Sequence, residues 1–342
     1  MRLREQRPIV ILGAQRFDRT AALVDGLLPT GRIWVIHVPP ARPVVPGLLA
    51  GLFDAGEIPL AQYIFARDQG DPLTAIPVFP DRIFVQQYVY VRRDSDIASP
   101  GDLRGKRVWV PGYLYTACFW HRAMLQEHGV QPHEVLWFAG GPEIDPRMRH
   151  PDGVQVKPLP SQQMGIDLLL AGEVDCVMHE ATPVVPPGQE ARVRRLFPDV
   201  HALQRDAYRR TGFFPIVHII AVRQEALESW PELGVELCRL YDQAKAVAYR
   251  LLQNERLTSL PLMRVYLDET MTLFGDDPWP YGLERNRQEL ETTLRLTFEQ
   301  GLTRRQLSLD ELFDPRSLQY TFQARMSSGA PPWSGGFPAS DI

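Results

Sequence analysis

The residues best suited to chemistry stand in the segment 208–218, where two adjacent arginines and a turn precede a short apolar strand with a histidine. Gly212 permits the turn and Pro215 removes a backbone donor, so this strand is not expected to be paired along its whole length. Arginine binds carboxylates through paired hydrogen bonds, and an imidazole exchanges protons near neutral pH. The pattern predicts a carboxylate clamp, preferably Arg210, and a proton donor at His218. The structural alternative is a surface arginine pair and a hydrogen-bonded histidine.

A second candidate acid–base pair follows another predicted strand. His179 and Glu180 come directly after a strand that ends at Met178. An adjacent carboxylate can orient an imidazole or raise its pKa, so both residues are predicted to be catalytic. A divalent metal is conceivable but is not assigned, because no spacing matches a known metal motif. The ligands of such a metal would be His37, His179, Glu180 and His218.

Other polar side chains at the ends of predicted strands are candidates for holding a ligand. The segment Pro111–Thr116 joins a strand to the start of a helix, where backbone N–H groups and a hydroxyl can bind an anion. The amide of Gln86 can bind ligand hydroxyls, and Arg16 either faces the ligand or pairs with Asp18 or Glu57. The predicted ligand-binding set is Arg16, His37, Tyr63, Gln86, Tyr113, Tyr115, Thr116 and Arg210, with Glu57 as a weaker candidate.

A second unusual segment, 275–284, combines two prolines, two large aromatic residues and three acids. This composition is typical of a rigid turn that leads into a helix. Its aromatic residues, Trp279 and Tyr281, are expected to pack in the core rather than to contact a ligand.

The elements that must position these residues alternate between strands and helices, which predicts an α/β fold with mainly parallel sheets. Two long strands, 84–91 and 214–222, are predicted to cross between two lobes, with a ligand cleft beyond the carboxyl ends of the strands. Lobe 1 then comprises residues 1–88 and 222–325, lobe 2 residues 89–221, and the C-terminal tail residues 326–342. The other predicted strands are 8–14, 33–38, 75–79, 107–110, 135–138 and 174–178; the helices are one from Asp18, 47–54, 58–68, 115–128, 161–171, 233–252, 262–273 and 282–300, with a loop at 140–160.

Composition narrows the class of protein. The chain has 342 residues, 44% hydrophobic and 23% charged residues, and a net charge of −4, which is ordinary for a globular protein and argues against a nucleic-acid partner. Three scattered cysteines predict neither disulfides nor a cysteine metal site. The apolar run 8–14 reads as a first strand rather than an export signal, so a cytoplasmic location without a membrane partner is expected. The sequence leaves open a homo-oligomer.

Taken together, these segments resemble the 4,5-dihydroxyphthalate decarboxylase family, which is similar to type 2 periplasmic substrate-binding proteins. The resemblance implies a two-lobed fold with the ligand between the lobes. Two stretches are specific, 209–218 and 276–284, whereas the run Ser99–Val108 identifies only the fold. The other matching stretches are 17–20, 23–26, 77–80, 90–92 and 194–198. Departures from the family pattern lie at 41–42, 85–87 and 178–183.

The resemblance implies an aromatic-acid decarboxylase, a carboxy-lyase that needs no organic cofactor. In that reaction Arg16 and Arg210 would hold carboxylate, His218 would protonate the ring carbon, and Gln86 with the tyrosines would position hydroxyl groups. The alternative function is a non-catalytic solute-binding protein for a small anionic aromatic ligand, which the altered segments 85–87 and 179–182 favour. A lyase or dehydratase for a different small acid is a third alternative.

Overall fold

The computed structural model describes residues 7–29, 31–39, 44–160 and 164–326. In chain order the strands are β1 Ile9–Gly13, β2 Trp34–Val38, β3 Ala55–Pro59, β4 Leu73–Arg82, β5 Val89–Arg92, β6 Arg107–Val110, β7 Leu136–Ala139, β8 Gln155–Pro158, β9 Cys176–Met178, β10 Val193–Arg195 and β11 Ile216–Arg223. The helices are α1 Asp18–Val24, α2 Val44–Leu49, α3 Leu60–Asp68, α4 Thr116–Glu127, α5 Gly165–Ala171, α6 Val200–Thr211, α7 Gln224–Ser229, α8 Leu233–Leu252, α9 Met263–Phe274 and α10 Leu283–Glu299.

The strands form two sheets, each with its own hydrophobic core, so the predicted two-lobed α/β class is confirmed. The first sheet has the order β2-β1-β3-β11-β4, and the second has the order β10-β5-β9-β6-β7-β8. In the first sheet β2, β1 and β3 pair in parallel, and β11 runs antiparallel to both β3 and β4. In the second sheet β9, β6, β7 and β8 pair in parallel, and β5 runs antiparallel to both β9 and β10. The first core gathers the apolar faces of sheet one, α1 and α8, and the second gathers those of sheet two and α4.

The placement of β11 corrects the predicted lobe boundary. Because this strand pairs with β3 and β4, residues 216–221 belong to the first sheet and not to lobe 2. The run of apolar residues predicted the strand itself, but local sequence does not reveal which sheet accepts it. Residues 41–42 and 161–163, and the predicted tail apart from Met326, lie outside the described residues.

Two predicted elements are wrong and a third begins two residues later than predicted, each for an identifiable reason. The long strand 84–91 is a 3₁₀ turn at Val85–Tyr88 followed by the short strand β5, because the chain leaves one sheet here and joins the other. The helix predicted at 58–68 is confirmed as α3, but its first two residues belong to the end of β3, which pairs with β1 and β11. The segment 140–160 contains the exposed edge strand β8, whose polar residues carry no apolar alternation.

Direct contacts hold the two lobes together on one side of the molecule. The Thr116 hydroxyl accepts a hydrogen bond from the Ala61 amide at 3.0 Å, and Trp120 Nε1 donates to Ile216 O at 2.8 Å. These bonds link α4 of the second lobe to α3 and β11 of the first. A cavity lined by residues of both lobes lies between the two sheets.

The segment 275–284 serves structure, as predicted for its aromatic residues. Trp279 Nε1 donates to Phe79 O at 2.8 Å, and Tyr281 is 1% exposed. The fully buried Lys245 donates to Asp277 at 3.0 Å, and burial lowers the pKa of this lysine to about 8 despite the charge of Asp277. Removing one partner of such a buried pair leaves an uncompensated charge, so the pair anchors α8 to this segment.

Candidate active site

A cavity of about 330 Å³ opens between the two sheets. The first lobe contributes residues that follow β1, lie on β3, β4 and β11, or begin α3, and the second contributes residues before α4 and after β9. A cavity of this size is at the lower end of the range for small-molecule sites. Its lining residues are Gln15, Val44, Glu57, Pro59, Gln62, Asp81, Ile83, Tyr115, Ile144, Glu180, Val217 and His218.

His218 reaches the cavity because of the strand register. It lies opposite Pro59 on β3 and opposite Asp81 on β4, so neighbouring side chains of these strands share its face of the sheet. Glu57 is two residues from Pro59 and therefore points to the same face. The histidine that the sequence placed on a lone strand thus lies between two carboxylates from strands that flank it.

The His218–Glu57 hydrogen bond is the central contact of the site. Nδ1 of His218 lies 2.6 Å from Oε1 of Glu57, whose side chain is 1% exposed. The other carboxylate oxygen of Glu57 accepts a hydrogen bond from the backbone N–H of Gln15 at 3.0 Å, so the acid is fixed at both oxygens. With Nδ1 held in this way, Nε2 is the ring nitrogen left to exchange a proton with a ligand.

The acids around His218 favour its protonated form. Burial opposes the positive charge, but the hydrogen bond to Glu57 and the charges of Glu57, Asp81 and Glu180 outweigh burial and raise the pKa of His218. Asp81 Oδ2 is 3.8 Å from Nδ1. His218 is therefore suited to act as a general acid at neutral pH.

Two further carboxyl groups face the cavity from opposite lobes. Burial raises the pKa of Asp81, although the charges of His218 and Arg19 oppose this effect. Glu180 is exposed at the mouth of the cleft, yet desolvation by the cleft walls raises its pKa, and the charge of Asp81 adds to the rise. Carboxylates accept hydrogen bonds from hydroxyl groups, so this side of the cavity is suited to a hydroxylated ligand.

Tyr115 is the aromatic residue of the second lobe that faces the cavity. A Cβ on Gly112 would lie 2.8 Å from the Tyr115 ring, so the absence of a side chain at Gly112 lets the ring pack there. Burial raises the pKa of the Tyr115 phenol, and the charge of Glu180 contributes. The phenol therefore stays neutral at physiological pH and can stack on, or hydrogen-bond to, a ligand ring.

Comparisons with known proteins address the reaction class. The family model described as NMT1/THI5 like matches residues 39–142. The 4,5-dihydroxyphthalate decarboxylase of Comamonas testosteroni is 32% identical over 314 residues, which cover 89% of this chain and 95% of that protein. The chain belongs to the 4,5-dihydroxyphthalate decarboxylase family. This likeness supports an enzyme, a decarboxylase, and confirms the family that the motifs suggested.

A second relative agrees with this membership, and a solved structure agrees with the fold. The 4,5-dihydroxyphthalate decarboxylase of Pseudomonas putida is 33% identical over 168 residues, or 47% of this chain and 65% of that protein. The alkanesulfonate-binding protein SsuA of Xanthomonas axonopodis pv. citri, solved with MOPS, superposes with a TM-score of 0.54 at 15% identity, covering 90% and 99% of the two chains. At this identity the likeness shows the periplasmic-binding-protein fold alone.

His179, predicted to be catalytic in this family member, turns away from the cavity. Its Nδ1 accepts the backbone N–H groups of Glu180 and Ala181 at 2.9 and 3.0 Å, and its ring stacks on Trp109 at 5.5 Å. Burial lowers the pKa of His179, which keeps Nδ1 unprotonated and able to accept both bonds. His179 is thus a positioning residue that holds the loop carrying Glu180.

The position of the acceptor atom gives a specific prediction. His179→Leu removes the acceptor for both N–H groups and is expected to lower kcat/KM about 10-fold, in line with the loss of one or two hydrogen bonds. His179→Asn places an amide oxygen near the position of Nδ1 and is expected to stay within about threefold of wild type. Steady-state kinetics on both variants checks this; equal loss in both would contradict the acceptor role.

Arg16 and His37, predicted to bind the ligand, are engaged elsewhere. Arg16 Nε and Nη2 donate to the two Asp25 oxygens at 2.9 and 2.7 Å, and its side chain is 62% exposed. His37 Nε2 donates to Ala14 O at 2.7 Å. The structure corrects both predictions, because neither side chain lines the cavity, and the ion pair of Arg16 is with Asp25 rather than with Asp18 or Glu57.

Tyr63 and Tyr113 are core residues instead of ligand contacts. Tyr63 is fully buried and donates to Leu312 O. Tyr113 is also fully buried, with the Arg122 guanidinium over its ring at 3.8 Å. Both predictions are wrong because these two rings pack in the hydrophobic cores of the protein.

The predicted anion site at 111–116 is filled by a carboxylate of the chain itself. Glu143 accepts the backbone N–H groups of Tyr113 and Leu114 at 3.0 and 3.1 Å. Burial disfavours its charge, but the His150 hydrogen bond and these amides lower the pKa of Glu143 overall. Thr116 is likewise unavailable, since it accepts the Ala61 amide. The pattern correctly indicated a turn that binds an anion, but the anion is the Glu143 carboxylate and not a ligand.

Gln86 and Arg210 lie in a different cavity. This second cavity, of about 590 Å³, is walled by α4, α6, α10 and the turn at Val85–Tyr88. Arg210 sits at the end of α6 and contacts Glu127 at 3.3 Å, with 62% of its side chain exposed. Gly212, with φ of 71°, then reverses the chain and separates the arginines from His218. Arg210 and His218 are therefore close in the sequence but line different cavities.

Sequence reasoning missed Asp81, Gln62 and Gln15 and ranked Glu57 too low. Asp81 follows the family-like stretch 77–80, which was a usable signal for a functional strand end. Glu57 carried no local signal, since its role depends on β3 pairing with β11, 161 residues away in the chain.

The four residues considered for a metal are not assembled. Within residues 7–29, 31–39, 44–160 and 164–326, no group of three or more His, Cys, Asp or Glu side chains is arranged to hold a metal ion. Metal assistance therefore stays a sequence-based prediction without a ligand set in this part of the chain.

None of the helices described here combines the length and hydrophobicity needed to cross a bilayer.

Proposed function

We propose that this protein decarboxylates a hydroxylated aromatic carboxylic acid of the 4,5-dihydroxyphthalate type, with His218 as the acid that protonates the ring. The observation that carries the proposal is the His218–Glu57 pair at the lobe-lobe cavity, with a raised histidine pKa. The names of the family relatives support the substrate type.

The reaction needs a proton at the ring carbon that bears the departing carboxylate. His218 Nε2–H gives its proton to that carbon while a ring hydroxyl para to it supplies electron density. The bond from the ring to the carboxylate then breaks, its electron pair restores the aromatic ring, and CO2 leaves. His218 afterwards regains a proton from water, so the balance is one substrate carboxylate and one proton for one CO2 and one ring C–H.

The neighbouring acids serve this step in two ways. Glu57 stabilises the imidazolium before transfer, and it keeps the ring fixed through Nδ1. Asp81 and Glu180 accept hydrogen bonds from the ligand hydroxyls, which increases electron density on the ring oxygen that assists protonation. The predicted arginine clamp is absent from this mechanism, because no Arg or Lys is among the described residues that line the cavity.

The test is CO2 release from a panel of acids in D2O. Hydroxylated phthalates with a hydroxyl para to a carboxylate are expected to release CO2 and to take up one ring deuterium per turnover, whereas unsubstituted phthalate is expected to be inert. Tight binding of a panel member without any CO2 release would contradict the proposal and favour a solute-binding protein. Repeating the assay after dialysis against a chelator, with and without added divalent cations, distinguishes a cofactor-independent reaction from a metal-assisted one.

A further inference from the structure

Gln62 is an unusual member of the cavity lining. It lies in the first turn of α3 and is 2% exposed, yet its Nε2 is buried without a hydrogen-bond partner. An unpaired buried amide destabilises a folded protein, and such groups in native structures commonly mark a ligand or a functional requirement. The residue borders the same cavity as His218 and Glu180.

The cavity offers many acceptors and few donors. Glu57, Asp81 and Glu180 present carboxyl groups, which serve ligand hydroxyls. A ligand carboxylate accepts hydrogen bonds only and needs N–H or O–H groups. His218 has to donate to the ring carbon, which leaves the Tyr115 hydroxyl and the side-chain amides of Gln15 and Gln62 as donors in the lining. Of these three residues, Gln62 is the one whose donor atom is buried without a partner.

We propose that Gln62 Nε2 donates to the carboxylate that stays on the ring, and that Gln62 thereby selects acids over phenols without a carboxylate. This inference rests on the proposed function for the chemical class of the ligand. The departing carboxylate is the wrong partner, because it loses its charge as CO2 forms, and a donor bound to it would stabilise the ground state more than the transition state. Gln62 is thus a specificity residue, and its loss acts on binding.

The experiment compares wild type with Gln62→Met, which keeps the length of the side chain and removes the amide. The probes are 3,4-dihydroxybenzoate, which is what 4,5-dihydroxyphthalate becomes on losing one carboxylate, and catechol, which has none. The variant is expected to bind 3,4-dihydroxybenzoate about 10- to 100-fold more weakly, the range for a hydrogen bond to a charged group. Catechol affinity is expected to be unchanged, and KM for 4,5-dihydroxyphthalate should rise with kcat within about threefold.

Stability supplies a readout that a purely structural glutamine would not produce. Removing an unpaired buried amide is expected to raise the Tm of the ligand-free protein by about 2 °C. The control is Gln300→Met, because Gln300 is equally buried but its amide donates to Phe119 O and Gln126 and its oxygen accepts from Arg122. That variant is expected to lose stability and to keep its affinity for the probe.

The outcomes separate this inference from the proposed function. Weaker 3,4-dihydroxybenzoate binding in Gln62→Met supports the inference even if no acid in the panel releases CO2. Turnover by wild type with unchanged probe affinity in Gln62→Met, or a Tm below that of wild type, would overturn the inference and leave the function standing. A wild-type protein that binds neither 4,5-dihydroxyphthalate nor 3,4-dihydroxybenzoate would overturn both.

Discussion

His218→Asn is expected to lower kcat for a hydroxylated phthalate by about 100- to 10,000-fold, the usual contribution of a positioned general acid. Asparagine can still donate a hydrogen bond to Glu57 from its amide, so the site should keep its shape while losing the group that titrates. Ligand affinity is therefore expected to change much less than kcat. The measurement is steady-state CO2 release together with the Kd of 3,4-dihydroxybenzoate.

The matched control is His133→Asn, the same substitution at an exposed histidine in the turn Pro132–Glu134. It should leave kcat unchanged. Deuterium uptake adds a second criterion, because slow ring deuteration in D2O should accompany slow CO2 release in His218→Asn. If the variant keeps more than about a third of wild-type kcat, His218 is not the general acid of the reaction.

Glu57→Gln is expected to move the pH profile of kcat/KM to lower pH and to reduce activity about 10- to 100-fold at pH 8. The sign follows from the role of His218 as an acid. It is active when protonated, so activity falls as pH rises through its pKa, and Glu57 is the largest of the influences that raise this pKa. Without the Glu57 carboxylate, burial has the larger effect and the pKa of His218 falls. The alkaline limb of the profile therefore moves to lower pH.

The control for this prediction is Glu225→Gln. Glu225 pairs with Arg223 at the surface and its side chain is 77% exposed, so neither the rate nor the profile should change. The measurement is kcat/KM between about pH 5 and 10 for the three proteins. A Glu57→Gln profile that coincides with wild type in its alkaline limb would mean that another group sets that limb.

Much of the architecture was readable from local sequence. The helices predicted at 233–252, 262–273 and 282–300 agree with α8, α9 and α10 to within one residue at each end. Their apolar residues repeat at helical spacing over several turns, and such long periodic signals are dominated by local geometry. The family-like segments pointed to the two-lobed fold through the resemblance that they carry.

Two candidate site residues from the same motif lie in different places. His218 lies at the cavity because the apolar strand β11 carries it there, and the motif around it was visible. Arg210 does not, because Gly212 ends α6 and leaves the arginine on a helix that faces Glu127. The sequence could not distinguish these outcomes, since both residues are equally polar and only eight positions apart.

By itself the sequence determined the α/β class, most long helices, the family and the histidine that is proposed to act as the acid. Only the tertiary structure decided that Glu57, Asp81 and Glu180 surround this histidine, that Glu143 fills the predicted anion turn, and that the arginines stay outside. The physical reason is the range of the interactions involved. Backbone preferences act over a few residues, whereas strand pairing and charge pairing join residues that are brought together only when both sheets have formed.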